Sequence, residues 1–306
     1  MNYQFFTTDV FTKKKFSGAP IAVFPKADGL DDQSMLKLAK EMNQQQTVFV
    51  HQSETDTPTL RVFTPLGEMP IGSHTTVAAA HVLSSLDSGS HEHSTYQFNH
   101  STGQVSAFVD RIDNKPAFSQ VSLNVKPSID FYTPTNAEIA DMLMLTIDDI
   151  EQLKYNSIQV ATDTRYLIVP LRSLDALQRA KFNPAAWMRT SAASSLVEEI
   201  LLFSTETETS IANFHFRLVG PEIANNVFPP VGGVIPAFSA YLCSDTKSRH
   251  GTHMYSVERG FSDDRQSFLE VEFDHKGEET LTVRIGGAAV VSAKGEISLA
   301  EQAEMV

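Results

Sequence analysis

The chain has 306 residues, 42% hydrophobic and 20% charged, with a formal net charge of -13. That balance describes a globular protein with apolar cores. Its negative charge argues against a phosphate backbone as partner, so no nucleic acid is expected.

No apolar run approaches the roughly 20 residues of a membrane helix, so no membrane span is expected. The opening MNYQFFTTDVF lacks the basic-then-apolar build of a secretory signal. The lone Cys243 excludes an internal disulfide, and together these features point to a reducing, cytoplasmic compartment.

In chain order, YQFFTTDVF (3–11) and APIAVFP (19–25) are strand-like, rich in β-branched and aromatic residues. Lys13, Lys14 and Lys15 between them read as a solvated turn. DDQSMLKLAKEMN (31–43) repeats its apolar residues at helical spacing, with Asp31 or Asp32 as cap. Strands resume at TVFVH and at TLRVFTP (59–65). SHTTVAAAHVLSSL (73–86) is small or apolar on nearly every side, which predicts a helix buried all round and opened by Gly72. QVSAFVD and FSQVSLNV follow as strands. The polar stretch 126–143 is the expected linker.

The second half repeats the plan. Strand-like pieces TRYLIVPL, IANFHFRLV, MYSVERGF, SFLEVEF and TLTVRIGGAAVV surround a second apolar helix, GGVIPAFSAYLC (232–243), again led by glycine. Pro236 is tolerated early in that helix, where N–H groups have no intrahelical acceptor. The expected fold class is therefore α+β, with two similar domains, 1–128 and 129–306, each of many strands around one buried helix. A helix start carries unpaired N–H groups and a partial positive charge, and glycine lets a ligand approach closely. Gly72, Ser73 and His74, with Gly232 and Gly233, are thus candidates to hold a small carboxylate.

Several segments together resemble the PhzF-like (phenazine biosynthesis-like) family of the diaminopimelate epimerase fold superfamily. DVFTKKKFSGAPIAVF matches the type DxFxxxxFxGNPxAV, with Ala19 in place of Asn. EMNQQQTVFV (41–50) matches ExNxSETxFV, and RVFTPLGEMPIGSHTTVAAA (61–80) matches RxFTPxxExPFAGHPTxGxA. LIVPL, the segment Arg217 to Leu242, and VRIGGAAVVSAKGEI extend the likeness over nearly the whole length. The resemblance implies two domains, each a bent, barrel-like mixed sheet around a central helix, with the last residues, about 293–306, returning to the first domain. It implies an active site in the cleft between the domains, no metal and no organic cofactor. It further implies proton-transfer isomerisation of a small carboxylic acid, and commonly a homodimer.

The resemblance also locates a departure. The family's acid/base glutamate falls on Gln46, and an amide can hydrogen-bond but cannot act as a base. The family's EDP glutamate and aspartate fall on Val227 and Phe228, its TGS serine on Gly233, and the glycine before its histidine on Ser73. His74 alone remains as an ionisable member, and a helix N-terminus favours its neutral form. It is either a ligand contact or a cap. Thr75 joins Gly72, Ser73, Phe228, Gly232 and Gly233 as an expected substrate contact. Glu68 matches a family glutamate and reads as an orienting or structural carboxylate. Glu41 and Glu222 carry no positive signal as replacements. Cys243, at the far end of its helix, reads as a small buried hydrophobe, so two-cysteine racemisation is excluded.

His91, Glu92, His93 and His100 have the residue types of a zinc site but no second firm ligand pair. Asp110 and Asp113 around Arg111 read as a solvated turn, as do Asp263, Asp264 and Arg265. Trp187 in NPAAWMRT reads as packing on a helix. Two functions follow: an isomerase acting on a small carboxylic acid with Gln46 and His74 in the site, or a catalytically inactive small-molecule binding protein on the same fold.

Overall fold

The computed structural model describes residues 1–52, 57–100, 103–223, 229–244, 250–261, 265–277 and 279–299. The chain divides into two units. Met1–Ser122 and the chain from Gly286 onward form the first, and Leu123–Ile285 the second. Among the described residues no helix is long and apolar enough to cross a membrane.

In the first unit, β1 (Asn2–Val10) pairs antiparallel with β2 (Ala19–Phe24) and with the late strand β17 (Ala289–Ser298). β2 runs parallel to β3 (Gln46–His51), which turns back on β4 (Thr59–Thr64) and then β5 (Gly67–Met69). β6 (His93–His100), β7 (Gly103–Ile112) and β8 (Lys115–Val125) form an antiparallel meander. The alternation of side chains along each strand divides this sheet into two faces.

One face takes α1 (Asp32–Met42), whose Met35, Leu38 and Ala39 pack on Phe24, Phe49 and Phe63. Asp31 caps α1 by accepting from the Ser34 amide at 2.8 Å. Hydrogen bonding to Ser34 also lowers the Asp31 carboxyl below its ordinary value. Asn43 ends the helix in the left-handed region, at φ 48°. The other face takes α2 (Ser73–Leu86), buried from Ser73 through Val82. Its alanines 78, 79 and 80 are fully buried, and their small side chains let strands approach on all sides.

Arg111 contradicts the expected solvated turn. It is 8% exposed, on β7, and donates to the carbonyls of Ser84 at 2.8 Å, Asp87 at 3.0 Å and Asn114 at 2.7 Å. The guanidinium thus closes the negative end of α2. The three lysines 13–15 are exposed, as expected.

The second unit begins at Leu123, just before the expected linker, and takes in that whole stretch. β9 (Ser128–Asp130) pairs with β10 (Ile158–Ala161), and α3 (Asn136–Met142) is capped by Thr135 and Glu138 acting reciprocally. β10 is antiparallel to β11 (Arg165–Pro170), which runs parallel to β12 (Glu199–Ser204). β12 pairs antiparallel with β13 (Phe214–Val219), and β13 parallel with β14 (Gly251–Arg259). β15 (Ser267–His275) and β16 (Leu281–Gly287) follow.

Short helices α4 (Leu174–Arg179), α5 (Pro184–Trp187) and α6 (Ser191–Ser194) join α3 against Leu167, Val169, Ile200 and Leu202. Trp187 is 4% exposed in that core. The opposite face packs on α7 (Ile235–Cys243), where Phe238 lies 4.6 Å from Phe216 and 5.0 Å from both Phe203 and Phe214. The apolar piece TLTVRIGGAAVV is two strands rather than one, interrupted at Ala288.

Candidate functional site

In the first unit α2 packs against β1, β2 and β3, and β5 ends at Met69, shortly before the helix start. Gly18, at φ 64°, makes the turn between β1 and β2, and a Cβ there would stand 2.3 Å from the Val10 carbonyl. Only glycine fits. The turn leaves Phe11 fully buried at φ 61°, an unusual conformation for a bulky residue. It sets the Phe11 ring edge-on to His74, with centroids 5.0 Å apart. The buried Asp9 carboxylate accepts from the Phe16 amide at 2.8 Å and holds the same turn.

Gln46 opens β3 opposite Ile21, on the face away from Phe49 and α1. Its Nε2 donates to Met69 Sδ at 3.5 Å, four residues before Ser73 in the chain. Gln46 Oε1 is buried and, among the described residues, has no hydrogen-bond partner. Among the described residues Ser73 Oγ, Thr8 Oγ1 on β1 beyond Ile21, and Thr47 Oγ1 next to Gln46 are also buried without one.

The other hydroxyls at the helix start are occupied. Thr75 Oγ1 accepts from the Gly72 amide at 3.0 Å and donates to the Gly72 carbonyl at 2.8 Å. Thr76 Oγ1 donates to the same carbonyl at 3.0 Å. Thr75 therefore closes the helix start, and the hydroxyl left over is that of Ser73, a residue only 2% exposed. His74 is 4% exposed. Gly72, Ser73, His74 and Thr75 thus form the helix start, and Met69, just before it in the chain, is the hydrogen-bond partner of Gln46.

In the second unit Gly232 and Gly233 lie in the turn before α7 rather than inside it. The Tyr166 hydroxyl stands 3.6 Å from where a Cβ on Gly233 would sit. Burial pushes the Tyr166 phenol well above its ordinary value. Glu199 lies opposite Tyr166 across the parallel pair of β11 and β12, on the same face. Burial first, and then neighbouring Glu198, raises its carboxyl. The sequence reading missed both residues, because each lies in an otherwise apolar strand far in sequence from Gly233. Phe228 and Val227 lie outside the described residues, as do Asp263 and Asp264.

The remaining candidates fall elsewhere. Glu68 forms a two-pronged ion pair with Arg61, at 2.7 and 2.6 Å, and is exposed; it is a surface structural carboxylate. Glu41 and Glu222 are exposed. His93 pairs with Asp110 at 2.8 Å on the surface, and among the described residues no three His, Cys, Asp or Glu side chains gather as a metal site. Cys243 is the last residue of α7, and burial pushes its thiol up to about 11, so it is protonated at neutral pH. A hollow of about 270 Å³ opens near that end of α7, lined by Phe214, Leu242, His253, Tyr255 and Phe273 among others. None of the expected site residues lines it.

Two sheet-built units, each with a buried helix preceded by glycine, define the fold. The chain belongs to the PhzC-PhzF family of phenazine biosynthesis-like proteins, whose family model matches residues 8–295. It is 29% identical to an uncharacterized isomerase of Clostridium acetobutylicum over 306 residues, covering 97% of this chain and 98% of that protein. Among solved structures it is similar to a PhzF-family phenazine biosynthesis protein of Bacillus anthracis, with TM-score 0.83 and 22% identity over 98% of this chain and 100% of the other. It also shares its fold with a hydroxyproline epimerase of Agrobacterium vitis solved with trans-4-OH-L-proline, with TM-score 0.63 and 9% identity over 98% of this chain and 94% of the other.

Proposed function

We propose that this chain is a PhzF-type isomerase that binds a small carboxylic acid at the start of α2 and moves a proton on it. The observation that carries the reading is that Gln46 Oε1 and Ser73 Oγ are buried with no hydrogen-bond partner among the described residues. Leaving such atoms unpaired costs roughly 1–3 kcal/mol each, a cost that a bound ligand removes. The ligand's carboxylate meets the N–H groups and positive end of α2 and the Ser73 hydroxyl. His74, held by Phe11, is the group that exchanges protons with the substrate. Gln46 stands where the family resemblance puts the acid/base glutamate and acts here as a hydrogen-bonding group.

A second reading is a binding protein without turnover. It is favoured by the Gln46 amide itself, which rests on a methionine sulfur and cannot accept a proton at ordinary pH. Incubation in heavy water with amino acids and dihydroaromatic acids, followed by mass spectrometry, separates the two. Solvent deuterium entering a substrate with the native protein, and lost in His74→Gln, supports the isomerase. Exchange that appears only in Gln46→Glu supports the binding protein. No exchange in either, with no acid raising the melting temperature, overturns both.

A further inference from the structure

We propose that His250 and His275, at the open end of the β14–β15 pair in the second unit, form a two-imidazole binding site for a divalent transition-metal ion of the zinc, nickel or copper type, completed by water. The site uses none of the residues at the start of α2.

Strand register brings the two histidines together. β14 and β15 are antiparallel, with Gly251 opposite His275, so His250 stands one residue outside the ladder, beside the last residue of β15. The chain enters β14 through Gly251 at φ 145° and passes Gly277 at φ 74° shortly after β15. Gly277 also makes room. A Cβ there would stand 2.6 Å from His250 Cε1, so the imidazole lies against bare backbone in a place no side chain can share. His250 is exposed and His275 half-buried, yet this seat keeps the first ring beside the second, with centroids 5.0 Å apart and planes at 41°.

That spacing is the one a shared ion requires. With a metal–nitrogen bond of about 2.0–2.1 Å and the ring centre roughly 1.1 Å behind the nitrogen, each centroid stands about 3.2 Å from the metal, and two rings at a tetrahedral angle have centroids about 5.2 Å apart. His253, on β14, has its centroid 6.4 Å from that of His275 and stacks on Phe273 at 5.1 Å. It flanks the pair, and among the described residues no third His, Cys, Asp or Glu completes a cage. Asp274 is committed elsewhere, accepting from the Thr252 hydroxyl and from Arg284, both at 2.8 Å. Imidazoles without a carboxylate favour zinc, nickel and copper over magnesium and calcium, which take oxygen ligands. The exposed Lys276 next to His275 opposes a cation and limits the affinity, while the net charge of -13 draws cations to the protein. An ion held here ties the segment before β14 to the end of β15, and so stabilises the folded state by mass action.

The test is calorimetric titration of the full chain, without an added histidine tag, with zinc, nickel, magnesium and calcium chlorides. Zinc and nickel are expected to bind, one ion per chain, and to raise the melting temperature; magnesium and calcium are expected to do neither. His250→Ala and His275→Ala are each expected to weaken zinc binding at least ~10-fold. His253→Ala, Cys243→Ser and His93→Ala, the last removing a surface histidine of the first unit that pairs with Asp110, are expected to leave it unchanged. Copper(II) on the native protein is expected to show two equatorial nitrogens by electron paramagnetic resonance, a readout that needs no variant to fold. Failure of zinc and nickel to bind, a single nitrogen on copper, full affinity in His275→Ala, or a loss in His253→Ala as large as that in His250→Ala would each overturn the proposal.

Discussion

His81 offers the sharpest test of how tightly α2 is enclosed. It lies in the middle of the helix, 4% exposed, with Nδ1 buried and without a partner among the described residues. Burial pushes its pKa from 6.5 down to about 4. The folded protein therefore holds the neutral ring while the unfolded chain takes up a proton below about pH 6.5. The unfolded state binds more protons through that window, so stability falls as pH drops from about 6.5 towards 4. With those two pKa values the loss at pH 5 is about 2 kcal/mol, approaching ~3 kcal/mol below pH 4. His81→Leu removes the titrating ring and keeps the site apolar. Urea unfolding of both proteins near pH 7.5 and pH 5 reads the effect, and the variant is expected to gain ~2 kcal/mol on the native protein between the two conditions. An unchanged difference between the proteins at the two pH values would show that the ring is open to water or bonded, and the enclosed helix would have to be given up.

Gly18→Ala forces a side chain into the left-handed region and onto the Val10 carbonyl; a loss of ~2–4 kcal/mol is expected by urea unfolding, with weaker ligand binding because the same turn carries Phe11 to His74. Glu258, 1% exposed, accepts from His215 Nδ1 at 2.9 Å, the Thr209 amide at 3.0 Å and the Thr209 hydroxyl at 2.6 Å. Burial raises its carboxyl, and these bonds together bring it below the ordinary value. Glu258→Ala strands the donors and is expected to cost ~3–5 kcal/mol, whereas Glu258→Gln, which keeps an acceptor, costs less; equal losses in the two would refute the pairing. Glu199 has a raised carboxyl, so its contribution is favourable below the unfolded pKa and is lost as pH rises. Glu199→Gln should therefore be more stable than the native protein near pH 7 and lose that advantage near pH 4, and a pH-independent difference would count against burial of the carboxyl.

What could be read in the sequence follows the range of each interaction. The all-round apolar pattern of 73–86 and the aromatic helix ending at Cys243 are local, and both appear as buried helices. Gln46, Ser73 and His74 are grouped by the family resemblance of EMNQQQTVFV and of the segment 61–80, not by any local periodicity. Arg111 was misread because its flanking aspartates suggest solvent, while its partners at Ser84 and Asp87 lie more than twenty residues away. The stretch 126–143 looked like a linker because its strand is three residues long and its helix seven, too short for periodicity to show. Met69 gave no signal at all: a methionine is ordinarily packing, and only the distance to Gln46 turns it into an acceptor.

The two buried helices are built for different work, and the difference lies in where hydroxyls are left. In the second unit Ser239 on α7 donates to the Ile235 carbonyl at 2.9 Å and shares a bond with the Tyr255 hydroxyl at 3.0 Å, amid packed phenylalanines. That polar pair is closed and lends the core specificity. In the first unit the helix opens Ser-His-Thr-Thr, the two threonine hydroxyls close its start, and the Ser73 hydroxyl and the Gln46 amide oxygen are left without a partner among the described residues. An evolutionary drift that simply erased a catalytic carboxylate would be expected to fill the vacated position with apolar side chains, since an unpaired buried acceptor is costly. Instead the position keeps a polar group and a sulfur that orients it. On the proposed function, a ligand's donor occupies Oε1 and offsets that cost, and a site that had merely decayed would give no such partner.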